Sequence, residues 1–213
     1  MRVFAGVMLL VALVIAPGAA WADPKADFAA CSRTRAAEPC RKAVQTLTAE
    51  IRKSPNDAEL YEMRGAAYAH IRDFKRAIDD LNQAIKLKPS ELTYLLRGSV
   101  RGMSHDLDGA IADANQALRL NPKSTDAYLN IAYAYMAKGD YNRVIAALTH
   151  AIALNPKQAR LYTARAGAYG NKGDKASAEA DCQRALALMP KRDGDMGYDG
   201  NGQTVRCHPE LAK

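Results

Sequence analysis

The sequence lacks the short motifs by which enzyme and metal sites are usually recognised. It contains no G-x-S-x-G, H-E-x-x-H or P-loop spacing, and its four cysteines include no C-x2-C pair. The acidic segment 193–203 is a poor calcium loop, because in the frame that starts at Asp195 a bidentate Glu is replaced by Arg206. We therefore predict no catalytic residue, no metal site and no cofactor.

The sequence also lacks an apolar run of the length that a membrane-spanning helix needs, about 18 residues. Its N-terminal run, Val3–Ala16, follows Arg2 and precedes Ala20-Trp21-Ala22, which resembles a signal peptidase site. This pattern predicts a signal peptide over residues 1–22 and a periplasmic or secreted protein without a membrane span. A retained N-terminal anchor helix is the alternative.

Acidic residues are in the minority, with 23 Asp and Glu against 30 Lys and Arg. Removal of residues 1–22 would take away one Arg and no acid, which leaves a net charge of +6. A nucleic-acid partner is not expected, because the export signal argues against it. A modest positive charge on an exported protein favours solubility or weak attraction to anionic envelope surfaces.

Cysteines are absent from the middle of the chain, between Cys40 and Cys182. In an oxidising compartment an even number of cysteines indicates disulfides. Proximity in sequence favours the pairs Cys31–Cys40 and Cys182–Cys207, with free thiols or other pairings as alternatives.

Five prolines reveal an internal repeat. Pro55, Pro89, Pro122, Pro156 and Pro190 are separated by 34, 33, 34 and 34 residues. The last four follow similar phrases, "AIKLKP", "ALRLNP", "AIALNP" and "ALALMP", and each unit contains a turn such as "KGDY" near its centre. Each unit therefore reads as helix, turn, helix and a terminating proline.

These units resemble the tetratricopeptide repeat family, whose pattern is a large, a small, an aromatic, an Ala, a large apolar, an Ala and a Pro residue at fixed offsets. Repeat 2 departs from the pattern at Arg101, in the aromatic slot, and at Ala114, in the large apolar slot, so we expect it to be the least tightly packed. The matches in repeats 1, 3 and 4 are Tyr61, Gly65, Tyr68, Ala77, Leu81, Ala84 and Pro89; Tyr128, Ala132, Tyr135, Val144, Leu148, Ala151 and Pro156; and Tyr162, Ala166, Tyr169, Ala178, Cys182, Ala185 and Pro190.

The resemblance implies an all-α fold, a helix–turn–helix repeat solenoid in the form of a superhelix. Before the repeats we expect a degenerate capping repeat with a short, broken first helix and a regular second helix over 39–54. The expected organisation is 1–22 signal peptide, 23–55 capping repeat, 56–89 repeat 1, 90–122 repeat 2, 123–156 repeat 3, 157–190 repeat 4 and 191–213 Gly-rich tail.

One slot on the buried stripe of the first helices is unexpectedly charged. Through the four repeats it reads Arg64, Arg97, Ile131 and Arg165, and sixteen residues later the chain reads Asp80, Asp113, Ala147 and Asp181. The two slots change together: where the first slot holds Arg the second holds Asp, and where the first holds Ile the second holds Ala. This predicts structural ion pairs, either within each repeat or between neighbours, because buried charges require partners. A ligand-binding row of arginines is the alternative.

In the family, the opposite stripe of the first helices lines a concave groove that binds peptides. Its four charged residues here are Glu59, Glu62, Asp126 and Arg160, so a net groove charge of −2 is expected. The central residues are mostly apolar, and we expect the ligand groove to consist of Met63, Leu95, Leu96, Ser99, Met103, Leu129, Asn130, Tyr133 and Met136.

The resemblance predicts a non-enzymatic, monomeric interaction scaffold that holds a protein or peptide segment with apolar anchors in this groove. Ser99 and Asn130 would bind the backbone of the segment. On this view, Glu at Leu96 or Met136 should abolish binding without lowering the melting temperature. The alternative is a carrier or accessory subunit that binds an apolar non-peptide ligand in the same groove, since Met and Leu side chains are not selective for peptides.

The signal peptide makes the first testable prediction. Trp21 is the only tryptophan of the chain, so the exported protein should contain none and should begin at Asp23. Intact mass spectrometry of the exported protein checks this. Tryptophan emission from the purified exported protein would show that the N-terminal segment is retained.

Overall fold

A computed structural model describes residues 23–189, which form ten α-helices. The expected all-α solenoid is confirmed, with consecutive helices packed as helix–turn–helix pairs. The predicted signal peptide, Pro190, the Gly-rich tail and Cys207 lie outside the described residues. The helices are α1 (Pro24–Thr34), α2 (Ala37–Lys53), α3 (Ala58–His70), α4 (Phe74–Leu87), α5 (Glu91–Met103), α6 (Leu107–Leu120), α7 (Thr125–Ala137), α8 (Tyr141–Leu154), α9 (Ala159–Lys172) and α10 (Lys175–Leu188).

Each repeat uses the same turn between its two helices. An Asp ends the turn and its side chain accepts a hydrogen bond from a backbone N–H in the first turn of the second helix, as Asp73 does for Arg76. The residue before this Asp has a positive φ, which Gly139 and Gly173 adopt without strain. Repeats 1 and 2 place Arg72 and His105 in the same conformation, with φ of 62° and 66°.

The N-terminal pair departs from the sequence prediction in one respect. Its first helix, α1, is short but continuous from Pro24, so the expectation of a broken helix was wrong; the Asp23 side chain caps its start. The expected Cys31–Cys40 disulfide joins α1 to α2, and both cysteines are fully buried. The pairing of Cys182 with Cys207 stays a prediction, because Cys207 lies outside the described residues.

The hydrophobic core runs along the solenoid as a series of local clusters, each shared by neighbouring helices. Small residues let the two helices of a repeat approach closely. At Gly65 a Cβ atom would lie 3.2 Å from the carbonyl oxygen of Ala77, and at Gly98 it would lie 3.3 Å from that of Ala110. None of the helices in residues 23–189 is long and apolar enough to cross a bilayer.

The arginines of the charged slot make bidentate ion pairs within their own repeats. The guanidinium of Arg64 donates to both carboxylate oxygens of Asp80, each at 2.7 Å, and Arg165 does the same to Asp181. The hydrogen bonds that Arg64 donates to the Asp80 carboxylate raise the pKa of Arg64. The third guanidinium nitrogen of Arg64 donates to Thr48 in the preceding helix pair. The slot therefore ties three helices together, and Arg97 repeats the arrangement with Asp113 and Asn82.

Repeats 2 and 3 depart from this scheme in opposite ways. In repeat 3, Ile131 and Ala147 replace the ion pair and are both buried. In repeat 2, Asp113 receives a second arginine, because Arg101 of the aromatic slot also donates to it at 3.0 Å. Ala114 is fully buried there, and the expectation that repeat 2 is the least tightly packed stays a prediction.

Replacement of one ion pair by the apolar pair of repeat 3 tests its coupling. Arg64→Ile and Asp80→Ala should each destabilise the protein, by up to about 3–5 kcal/mol, because each leaves a half-buried charge without its partner. The double variant should recover part of this loss, since it copies Ile131 and Ala147. Urea unfolding of the four proteins in a double-mutant cycle measures the effect. Strictly additive effects of the two substitutions would contradict the pairing.

Candidate functional site

The first helices of successive pairs form the inner face of the solenoid. Contacts join α1 to α3, α3 to α5 and α5 to α7, whereas contacts of comparable extent are absent between successive second helices in residues 23–189. Because a curved stack brings its elements closest on the concave side, the first helices line the concave face. We call this surface the groove face.

An open cleft of about 280 Å³ lies on the groove face between α5 and α7, with α6 beneath it. Its lining contains no charged side chain and is dominated by small and apolar residues. The lining residues are Gly98, Ser99, Gly102 and Met103 of α5, Leu107 and Ala110 of α6, and Asn130, Tyr133, Ala134 and Ala137 of α7.

Four of the predicted groove residues meet in this cleft: Ser99, Met103, Asn130 and Tyr133. The side chains of Met103 and Tyr133 are large, apolar and about half exposed, at 48% and 57%. Asn130 lies across the boundary between the two repeats, where its amide nitrogen donates to the carbonyl oxygen of Leu95 at 3.0 Å. That bond fixes the orientation of the Asn130 amide at the edge of the cleft.

The cleft lies at a boundary where one filling side chain is absent and a second is polar and bonded to the backbone of the neighbouring repeat. Gly102 occupies the position held by Ala69 in repeat 1 and by Met136 in repeat 3. Asn130 occupies the position held by Leu96 in the preceding repeat. Leu96 and Ala69 pack together in the core cluster of repeats 1 and 2, and Met136 packs on the cluster of repeats 3 and 4. The boundary between repeats 2 and 3 lacks this filling.

Two predicted groove residues belong to the core instead. Met63 is only 8% exposed and packs in the cluster around the disulfide, because α1 and α2 cover it. Leu129 is 3% exposed and packs among residues of α6, α7 and α8. Both face neighbouring helices, so the expectation that they line an open groove was wrong.

The remaining predicted groove residues, Leu95, Leu96 and Met136, are half-buried and do not line the cleft. Leu96 and Met136 are the filling side chains of the two neighbouring boundaries. The expectation that Glu is tolerated at these positions therefore conflicts with their packing.

The charges of the groove face are more balanced than the sequence suggested. Glu59 forms an ion pair with Lys25 of α1 at 2.9 Å, and Asp126 pairs with Arg160 of the next repeat. Lys25 was not counted in the expected charge of −2, and its inclusion leaves −1. The remaining charge, Glu62, accepts hydrogen bonds from the hydroxyl groups of Ser90 and Thr93. The centre of the groove face therefore offers apolar contact rather than a strong field.

Sequence reasoning missed the floor of the cleft, which consists of Gly98, Leu107, Ala110 and Ala134. Leu107 and Ala110 lie on the second helix α6, which the pattern of the groove stripe does not include. The available signal was Gly102. Repeats 1 and 3 carry a side chain at this position, Ala69 and Met136, whereas repeat 4 also has a glycine, Gly170. Within residues 23–189, no three His, Cys, Asp or Glu side chains lie close enough together to hold a metal ion.

Comparison with known families agrees with this architecture. Three family models described as "Tetratricopeptide repeat" match residues 35–91, 103–168 and 159–192, which together exceed half of the chain. The chain is a tetratricopeptide repeat protein. Curated protein sequences provide no match.

Several solved structures have a fold similar to that of this tetratricopeptide repeat protein. A crystal structure of MamA is 26% identical, covers 70% of this chain and 88% of its own, and has a TM-score of 0.63. A tetratricopeptide repeat protein from Parabacteroides merdae is 21% identical over 81% and 68% of the two chains, with a TM-score of 0.67. YrrB, described as having an unusual peptide-binding site, is 16% identical over 80% and 95%, with a TM-score of 0.57.

The burial of the groove residues predicts two classes of Glu substitution. Leu96→Glu and Met136→Glu should each destabilise the protein by about 2 kcal/mol or more, because they place a carboxylate in a packed boundary between repeats. Met103→Glu and Tyr133→Glu, at half-exposed positions, should change stability by no more than about 0.5 kcal/mol. Thermal melting followed by helical circular dichroism distinguishes the classes. Equal melting temperatures for all four variants would contradict the assigned packing.

Proposed function

We propose that this tetratricopeptide repeat protein is a non-enzymatic interaction scaffold of the cell envelope that binds a partner segment on its groove face. The observation that carries the proposal is the uncharged cleft between α5 and α7, with Met103 and Tyr133 half exposed beside it. Exposed apolar side chains gathered at a concave site usually mark a contact surface. Ser99 and Asn130 supply polar groups at its edge.

The size of the cleft is compatible with one inserted side chain of a peptide segment. Pockets that enclose drug-sized ligands usually measure about 300–1,000 Å³ and bury most of the ligand. The cleft of about 280 Å³ is open and lies just below that range. It suits a single side chain whose backbone continues along the groove face. A carrier of larger apolar ligands, the alternative function, gains no support from this volume.

Two features support the envelope location. The N-terminal segment 1–22 has the pattern of a secretory signal. The buried Cys31–Cys40 disulfide fits an oxidising compartment, where such bonds form and persist. Both observations are compatible with an exported, monomeric protein.

A matched pair of substitutions tests whether the cleft binds the partner. Gly102→Met fills the cleft with the side chain that repeat 3 carries at this position, and a Cβ atom there meets only the Ala110 Cβ, at 3.9 Å. The substitution also removes a glycine from the last turn of α5, so stability should be retained or improve by no more than about 1 kcal/mol. We expect the Gly102→Met variant to capture at least tenfold less of the envelope partner than the wild type does.

Gly170→Met is the control. Gly170 has the same register on α9, nothing lies within 4 Å of its Cβ position, and it is outside the cleft. This variant should capture the partner as the wild type does. Comparative pull-down from an envelope extract, with lipid extraction of the same bait, measures both outcomes. Full capture by Gly102→Met would exclude the cleft, and recovery of lipid in place of protein would favour the carrier.

A further inference from the structure

The floor of the cleft is built mostly from glycine and alanine, with Leu107 beside them. Gly98 lies so close to α6 that a Cβ atom would be 3.3 Å from the Ala110 carbonyl oxygen, which brings the two helix backbones into contact. Gly102, one turn later, has room above it. Ala110 and Ala134 complete the floor with methyl groups. Such a surface presents backbone and small apolar groups to whatever enters the cleft.

The walls of the cleft carry the two groups that interact most favourably with an aromatic ring. Met103 contributes a thioether from α5, and Tyr133 contributes an aromatic ring from α7. Sulfur contacts to rings and ring–ring contacts add attraction beyond the burial of apolar area. Both side chains are about half exposed, so each has a free surface for a ligand.

The surroundings of the cleft indicate an uncharged ligand. No charged side chain lines it, and Asp108 of α6 and Lys138 after α7 pair with each other at 2.6 Å. A charged side chain would lose its hydration there without gaining a partner. The hydroxyl of Ser99 and the amide of Asn130 lie at the edge, where a peptide backbone would pass.

We infer, on the basis of the proposed function, that the partner is a peptide segment that inserts one aromatic side chain into this cleft. The ring lies over Gly102 and Ala110, between Met103 and Tyr133. The residues on either side of the aromatic residue are uncharged, and their backbone contacts Ser99 and Asn130. The volume of about 280 Å³ admits one large side chain. The same space is filled in the neighbouring repeats by Leu96 and Met136, so the aromatic anchor takes the place of side chains that this boundary lacks.

Two capped, neutral pentapeptides of Gly and Ser that differ only at the central residue test the inference. One carries phenylalanine and the other cyclohexylalanine, which has the same carbon skeleton but a saturated, puckered and somewhat more hydrophobic ring without a π-system. Titration of the isotope-labelled full chain, followed by nuclear magnetic resonance, gives both affinities. We expect the phenylalanine peptide to bind about 2- to 10-fold more tightly, the range of measured aromatic pair effects.

Three variants locate the interaction. Gly102→Met should abolish binding of both peptides, whereas Gly170→Met should leave both affinities unchanged. Tyr133→Leu should reduce the advantage of phenylalanine, because only the Met103 contact with the ring remains, while it retains the affinity for cyclohexylalanine. This last result separates recognition of the ring from a general loss of apolar area.

The outcomes distinguish the inference from the proposed function. Equal binding of the two peptides, stronger binding of cyclohexylalanine, or no binding of either would overturn the aromatic anchor. Binding of the phenylalanine peptide that survives Gly102→Met would also overturn it, because the anchor would then lie elsewhere. The proposed function is decided separately by capture of the envelope partner, and it fails if Gly102→Met captures that partner fully.

Discussion

The two helices of each repeat must come close enough to bury one apolar face between them, and the rest of the architecture depends on this approach. Gly65 and Gly98 favour this approach, because a Cβ atom at these positions would lie only 3.2 Å and 3.3 Å from a backbone carbonyl oxygen of the second helix. Once the pair is closed, its exposed apolar edges can be buried only by the next pair. The chain therefore repeats every 33 or 34 residues, and its core is a row of local clusters rather than one centre.

The arginine slot shows how charge is accommodated at such a closed boundary. Arg64 is nearly buried, yet its donors are distributed between Asp80 in its own repeat and Thr48 in the preceding pair, and its guanidinium lies 5.7 Å and 6.0 Å from the rings of Tyr61 and Tyr68. An ion pair of this kind contributes little net stability compared with apolar residues, as Ile131 and Ala147 illustrate in repeat 3. Its effect is directional, because bidentate geometry fixes the angle and register of three helices.

The fold could be predicted from the sequence because it depends on periodic features. The prolines, the Asp caps and the covarying Arg and Asp slots all recur, and each repeat checks the others. The groove could be predicted only in part, because exposure depends on what the neighbouring pair supplies. Met63 has the register of a groove residue and is nevertheless buried under α1 and α2, and Leu129 is enclosed by the helices on either side. The charge of the groove was misjudged for the same reason, since Lys25 belongs to the capping pair.

The cleft and the irregular ion pairs of repeat 2 have a common physical basis. A boundary with little filling loses apolar contact, and this loss would weaken the packing of α5 against α7. Arg101 stands next to Gly102 in sequence and, with Arg97, binds the buried carboxylate of Asp113, while it also contacts Asp106 in the turn. These bonds join α5 to α6 through polar contacts. Repeat 2 therefore holds its own two helices together by polar bonds while it leaves an apolar surface open toward repeat 3.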